Sequence, residues 1–282
     1  MTTHAVLVIG IGGATSSGKT TLAKNLFGIL SHVGTPPIAA VHVLHQDDFT
    51  FPMDQMPWNA KWQVTDWDTP RGSINYERMA RVLEHLRATG EFPHGFASSE
   101  HRRSKYDCRL SAAQRDMWSA RFRALHHVHV HGRPVDSVTI VLVEGLLLYY
   151  NAQVRRLIDI PLFLRVSRAE VLARRTSRSN YILEDGSTWV DPPFYFDEIV
   201  WPAYTEAHAG LFTGGDVERG ALTDACAADA ERDGAPVANM VLFDGCGPSD
   251  RASPRTVAVP QPDRDGVELA QAVCAVLLDA IK

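Results

Sequence analysis

Short runs of Val, Ile and Leu punctuate this chain, separated by stretches in which apolar residues recur every three or four positions. Five runs read as strands: Ala5 to Ile11, Ile38 to Leu44, Ser137 to Glu144, Ile160 to Val166 and Ala238 to Phe243. None alternates strictly between polar and apolar residues, so each is expected to be buried on both faces, as in a parallel sheet covered by helices. Between them Leu22, Leu26, Ile29 and Leu30 share one helical stripe, as do Met79, Val82, Leu83 and Leu86. A last helix is expected over Val267 to Ile281, where Leu269, Val273, Val276 and Leu277 repeat behind Asp265 as a candidate cap. The pattern predicts an α/β fold, a five-stranded parallel sheet sandwiched by helices.

Two segments interrupt that alternation. Thr89 to Asp136 includes a basic stretch from Glu100 onward, with eight Lys/Arg against four Asp/Glu, and Thr213 to Val237 is largely Gly, Ala, Asp and Glu, the composition of a mobile surface loop. We therefore expect a single domain over 1–282 with insertions at about 89–136 and 213–237. Its 45% hydrophobic and 22% charged residues are those of an ordinary globular chain. A net charge of −5 supplies no global positive field for a polyanion, so neither nucleic acid nor a membrane surface is an expected partner. Cys108, Cys226, Cys246 and Cys274 are scattered without metal or disulfide spacing. Ala5 to Ile11 lacks a basic flank and a cleavage site, and Thr139 to Tyr150 is too short to span a bilayer. The expected location is the cytoplasm, with the nucleus also open.

The strongest chemical signal is Gly13-Ala14-Thr15-Ser16-Ser17-Gly18-Lys19-Thr20, which matches G-x-x-x-x-G-K-[ST] between a candidate strand and a candidate helix. Glycines let the backbone wrap a phosphate with its N–H groups, and the helix N-terminus faces the same anion. Lys19 is expected at the β- and γ-phosphates and Thr20 on Mg²⁺. No guanine-reading Asn/Thr-Lys-x-Asp segment follows, and a chain of this size with one such turn most often transfers a phosphoryl group to a small molecule, an argument by association.

Such transfer needs a carboxylate at the attacking hydroxyl and an acid near the metal. Ligands of open α/β sheets gather at the carboxyl ends of strands. There stand His45-Gln46-Asp47-Asp48-Phe49, with Asp47 the candidate base, and Val143-Glu144-Gly145, with Glu144 the candidate metal-shell residue. Asp66-Trp67-Asp68-Thr69-Pro70 offers Asp68 to sugar hydroxyls and the Trp67 ring to a flat base. Arg165, Arg168, Arg174, Arg175 and Arg178 are opposed only by Glu170 and suit a lid closing over phosphates. Of these, Arg174 and Arg178 share a helical face that excludes Arg175. The histidines from His126 to His131 alternate between faces and are read as structural or solvated.

Taken with Thr21, Trp67-Asp68, Arg174 to Arg178, Tyr195-Phe196-Asp197 and Val200-Trp201-Pro202, these motifs resemble those of nicotinamide riboside kinases, in the uridine-kinase-like branch of P-loop kinases. The resemblance runs discontinuously from Val6 to about Leu211 and returns at Phe243-Asp244-Gly245. It implies transfer of the ATP γ-phosphate to the 5′-hydroxyl of nicotinamide riboside, giving nicotinamide mononucleotide for NAD synthesis. It further implies Gly13 to Thr21, Arg174 and Arg178 around ATP, Asp244-Gly245 near adenine, and Thr20, Asp47 and Glu144 at Mg²⁺. Asp47, Asp48, Phe49, Trp67, Asp68, Arg175 and Tyr181 would line the nucleoside, with Asp68 and Arg175 on the ribose and Trp67 and Tyr181 around the nicotinamide. Two alternatives stay open: a uridine/cytidine or other small-metabolite kinase, and an ATP-binding regulatory protein without transfer activity. The oligomeric state is not legible.

Overall fold

A computed structural model describes residues 3–34, 36–98, 108–125, 127–177, 181–182, 188–224, 231–246, 255–259 and 266–282. Its elements in chain order are β1 (His4–Gly13), α1 (Lys19–Leu30), β2 (Ile38–His45), β3 (Trp58–Asn59), β4 (Val64–Thr65), α2 (Tyr76–Thr89), α3 (Ala112–Arg123), β5 (Val128–Val130), β6 (Arg133–Val135) and β7 (Ser137–Gly145). Then come α4 (Ala152–Arg156), β8 (Ile160–Arg165), α5 (Arg168–Thr176), β9 (Tyr181–Ile182), β10 (Thr188–Trp189), a π-helical turn at Phe196–Val200, α6 (Trp201–His208), β11 (Val241–Asp244), β12 (Thr256–Ala258) and α7 (Val267–Ala280).

Six strands make one parallel sheet in the order β12-β11-β8-β1-β7-β2. The five expected strands are all present. The sixth, β12, is a three-residue edge strand, Thr-Val-Ala, too short to register as an apolar run. Successive side chains of a strand point to opposite faces. Leu7, Ile9 and Ile11 of β1 accordingly enter one core with α1, α3 and α7, while Val8 enters a second core with α2. In β7, Ile140 and Leu142 join the first core and Val141 and Val143 the second, which is why these strands read as unbroken apolar runs. From β1 the chain builds β2 and β7 on one side and β8, β11 and β12 on the other. The carboxyl end of β1 therefore sits where the strand order diverges, the usual place for a ligand crevice.

Both expected insertions are more deeply built into the fold than their composition suggested. In 89–136, α3 starts with a capping box between Ser111 and Gln114 and buries Trp118 and Phe122 against α1. The Ser119 hydroxyl donates to the Ile29 carbonyl (2.7 Å), and the Asn25 side chain accepts from the Arg109 N–H (2.8 Å). The mobile-loop expectation for 213–237 gives way wherever that segment is described. Val217 and Ala235 are buried, Arg165 donates to the Gly220 carbonyl, and Gly234 and Asp233 bond to Tyr150 and Ala152. A glycine just before it permits close approach: a Cβ on Gly210 would lie 2.1 Å from the Gly234 carbonyl oxygen. Helix α7 is capped by Gly266 in the left-handed conformation; Asp265, like His126 and Arg178, lies outside the described residues. Among the described residues no helix is long and apolar enough to cross a membrane.

Candidate active site

The turn from Gly13 to Thr20 leaves β1 at the divergence point. Gly13 (φ 145°) and Gly18 (φ 98°) take conformations that a Cβ disfavours, and a Cβ on Gly13 would meet the Leu164 carbonyl at 2.5 Å. The Tyr149 ring packs against the strand just before the turn, its hydroxyl donating to the Leu162 carbonyl (2.8 Å); a Cβ on Gly12 would strike that ring at 2.3 Å. Helix α1 then begins without a side-chain cap, so its first N–H groups face the turn. The Ser16 and Ser17 hydroxyls are buried with no hydrogen-bond partner among the described residues, and Lys19 is buried with its Nζ on the Ala14 carbonyl (2.7 Å). Orphaned donors around a buried cation fit a phosphate group.

Strand register sets the next contacts. His45 and Glu144 end neighbouring strands directly opposite each other. The Glu144 Oε1 atom accepts from the Thr20 hydroxyl (3.1 Å) and sits 2.8 Å from His45 Nδ1. Burial alone would push the Glu144 carboxyl up, yet the His45 hydrogen bond and charge, with help from Lys19 and Thr20, hold it below its usual range. Gly145 follows because Gln46 fills the space where its Cβ would be, at 2.5 Å, and Gln46 Oε1 accepts the Leu147 N–H (2.7 Å). That clamp fixes the 3-10 turn Gln46–Phe49 against β7 and presents Asp47, which is exposed, beside the strand ends. Asp48 is half-buried, its carbonyl taking a bond from Arg78. The Phe49 ring is fully buried against Phe96 and Arg78, where it anchors the turn.

The other wall of the crevice is assembled from loops. Asp66 Oδ1 accepts the N–H groups of Asp68 (3.3 Å) and Thr69 (3.0 Å), which folds the loop so that Asp68 turns inward. Asp68 is buried, and this raises its pKa to about 6; Arg175 and the Tyr195 hydroxyl oppose the rise, while Asp66 and Asp191 add to it. Arg175 makes a two-pronged ion pair with Asp191 and also donates to the Thr15 hydroxyl of the glycine-rich turn (3.2 Å). Trp67 is half-buried beside Asp68, with its indole N–H buried and unpartnered among the described residues.

The expected arginine cluster divides. Arg165 is a core residue, paired with Asp244 at side-chain exposures of 2% and 3%, and does not belong to a lid. The Asp244 carboxylate is engaged by Arg165 and the Cys246 N–H, and the Gly245 N–H bonds to the Arg165 carbonyl. Arg168 pairs with Asp197 and Arg174 with Glu170, while Arg175 turns to the glycine-rich turn. Tyr181 falls in β9, antiparallel to β10. Thr21 lies in the first turn of α1. The sequence reading missed His45, Gln46, Asp191 and Tyr195 as site residues. His45 and Gln46 could have been found from the register of two strands that both end in polar residues. Nothing local in the sequence marks Asp191, and Tyr195 stands in the Tyr195-Phe196-Asp197 motif without a role of its own.

Among the described residues no three His, Cys, Asp or Glu side chains surround a metal position. The Thr20 hydroxyl and Glu144 carboxylate are hard oxygen donors beside the phosphate cradle, the set that suits Mg²⁺ sharing its shell with phosphate and water.

Residues 8–181 match the model of the phosphoribulokinase/uridine kinase family. The chain is 35% identical over 216 residues to a nicotinamide riboside kinase of Eremothecium gossypii, covering 77% of this chain and 81% of that one. It is 28% identical over 223 residues to the nicotinamide riboside kinase of Saccharomyces cerevisiae, covering 77% and 84%. To human nicotinamide riboside kinase 2 it is 32% identical over 198 residues, covering 70% and 66%.

Proposed function

The chain belongs to the phosphoribulokinase/uridine kinase family and groups within it with the nicotinamide riboside kinases, and from that premise we propose that it phosphorylates nicotinamide riboside at the 5′-hydroxyl with ATP, yielding nicotinamide mononucleotide and ADP. The observation that carries this reading is the double engagement of Arg175, which touches Thr15 of the phosphate turn and lies beside Asp68 of the loop wall. One residue thus spans a phosphate site and a site suited to sugar hydroxyls.

In this reading the N–H groups and side chains of Gly13 to Thr21, Lys19 foremost, hold the β- and γ-phosphates. Asp47 takes the proton of the 5′-hydroxyl as that oxygen bonds to the γ-phosphorus and the bond to the ADP oxygen breaks. Thr20, Asp47 and Glu144 would hold Mg²⁺, which neutralises charge on the phosphates when bound. His45 keeps Glu144 ionised and oriented. Arg174 and Arg178 serve the nucleotide from α5 and the residues after it, Asp68 and Arg175 hold the ribose hydroxyls, and Trp67 and Tyr181 flank the base. A pyridinium ring against Trp67 gains a cation–π term of about 0.5–2 kcal/mol that a neutral uracil does not. The whole chain would act as one domain on a small nucleoside.

The test is a substrate panel at fixed Mg-ATP with nicotinamide riboside, nicotinic acid riboside, uridine and cytidine. The expected kcat/KM for nicotinamide riboside exceeds that for uridine by about tenfold or more, the upper half of that cation–π range. Equal or reversed preference overturns the substrate, and no turnover with any of them overturns the transferase.

A further inference from the structure

The segment from Phe212 to Leu222 closes on itself. Phe212 and Leu222 form an antiparallel bridge, the Thr213 N–H donates to the Ala221 carbonyl (2.9 Å), and the Thr223 N–H donates to the Leu211 carbonyl (2.8 Å). Within the loop the Asp216 carboxylate accepts the N–H groups of Glu218 (3.0 Å) and Arg219 (2.9 Å), a turn that sets the direction of Glu218. Val217 is buried, and the buried Arg165 ties the loop to the end of β8 by donating from Nη1 to the Gly220 carbonyl (2.6 Å).

From this loop Glu218 reaches the start of α5. Its Oε1 atom accepts the backbone N–H of Arg168, the first residue of that helix, at 2.8 Å. The Ser167 hydroxyl takes a second N–H, that of Glu170 (3.3 Å), and the Arg168 side chain pairs with Asp197 of the π-helical turn. Little else holds α5, since Val171 alone of its nine residues is buried. An element with so little buried apolar surface is kept in place by its polar ties. Toward its other end Arg175 spans Asp191 and the Thr15 hydroxyl of the phosphate turn. Seven positions of helix, about 10 Å, join the two ends, so where Glu218 holds Arg168 decides where Arg175 arrives.

We propose that Glu218 is a positioning residue for the arginine-bearing helix: one carboxylate oxygen from the 212–222 loop holds the start of α5 and so keeps Arg175 at the phosphate turn before substrates arrive. The proposal rests on the reading that Arg175 works between the phosphates and the nucleoside. It does not depend on which base the nucleoside carries.

Glu218→Ala removes the acceptor. Losing one helix cap should lower the fraction of molecules with α5 in place, and the ATP and nucleoside KM values should rise together by about three- to fivefold. Bound substrates draw the helix back, so kcat should stay within about twofold. Hydrogen–deuterium exchange should quicken about fivefold at the amides of α5 and stay at the parent rate in α1. Glu218→Gln keeps an oxygen on the Arg168 N–H and should hold both KM values within about twofold of the parent. Ser167→Ala loosens the same end of α5 without touching the loop; it should give the same paired rise, which keeps the test open if Glu218→Ala folds poorly. In an Arg175→Ala background, Glu218→Ala should add no further rise in the nucleoside KM. When Arg175→Ala is impaired, unchanged KM values in Glu218→Ala, a Gln form as poor as the Ala form, or quickened exchange in α1 as well as α5 overturns the role of Glu218 alone. An Arg175→Ala form with both KM values unchanged overturns the reading of Arg175 and the proposal with it. Failure of nicotinamide riboside in the substrate panel touches neither, since the same measurements are then made with the nucleoside the panel selects.

Discussion

On the phosphate side of the crevice, the turn from Gly13 to Thr20 leaves β1, and His45 and Glu144 stand opposite each other at the ends of β2 and β7. On the side we assign to the acceptor, Asp68 comes from a loop, Arg175 from the end of α5, and Asp191 and Tyr195 from the stretch before the π-helical turn. The first wall is held by sheet hydrogen bonds and by glycines whose replacement would collide with Tyr149, Leu164 or Gln46. Side-chain contacts among residues far apart in the chain hold the second. A wall set by backbone register changes little when one surface side chain is altered, whereas a wall set by side chains can be retuned one substitution at a time. In the proposed function the first wall takes the phosphate donor and the second the acceptor nucleoside.

The largest expected effect tests whether chemistry belongs to the sheet-bound side. Asp47→Ala should lower turnover by about a thousandfold, within the usual range for removing a general base, while the ATP Kd measured by calorimetry stays within about twofold. Asp47 is exposed on a turn clamped through Gln46, so the fold should tolerate the change. Turnover above about a tenth of the parent value would move the base to another residue.

The same division explains what could be read before any coordinates. Apolar runs gave five of the six strands because burial on both faces leaves no polar interruption, and β12 escaped because an edge strand needs only three residues. The glycine-rich turn was legible because its function demands conformations that few residues adopt. The Arg165–Asp244 pair was not, because local spacing cannot distinguish an arginine aimed at phosphate from one buried against an acid on the next strand. Nor could composition show that 213–237 is bound to Tyr150 and Arg165, since Gly and Ala suit a mobile loop and a tight backbone approach equally well. Asp191 meets Arg175 from 16 positions away in the chain, and nothing local in the sequence marks that pairing.

Proton titration should separate the two walls. Asp68 is pushed up to about 6, so its charged form, the better acceptor of ribose hydroxyls, is lost as pH falls through that value. The kcat/KM for the nucleoside should then fall about tenfold per pH unit below 6. Glu144 is held below its ordinary range, so the ATP Kd should stay level across the same window. The sign for stability is the reverse of that for activity. A carboxyl whose folded pKa exceeds its unfolded value makes the folded state less stable as pH rises from about 4 to about 6. Asp68→Asn should therefore raise Tm at pH 7.5 by about 2–4 °C while impairing nucleoside use. A lowered Tm would mean that the carboxylate stabilises the fold.

A smaller effect is expected at Asp191, whose side chain is about one quarter exposed. Asp191→Asn keeps the shape but removes the charge that holds Arg175, and the nucleoside KM should rise about tenfold, in keeping with a charge-assisted pair. If the ATP KM rose equally, Arg175 would belong as much to the phosphate wall as to the acceptor wall, and the comparison would lose its boundary.

The smallest effect lies farthest from the reacting atoms. Trp62 stacks on Phe194, one residue before Tyr195, with an interplanar angle of 18°, and Lys61 lies 4.6 Å from its ring centroid. This stack braces the β3–β4 hairpin against the segment that carries Tyr195. Its worth beyond simple burial is about 0.5–1.5 kcal/mol, so Trp62→Ala should raise the nucleoside KM by about two- to tenfold and leave the ATP KM unchanged. Lys61→Gln removes an exposed ion pair to Glu198 and the exposed cation over the Trp62 ring, both screened by solvent, and should change either constant less than Trp62→Ala does. Equal effects of Trp62→Ala on both KM values would show that the hairpin braces the whole crevice, and the acceptor wall would then be less independent than its construction from separate loops implies.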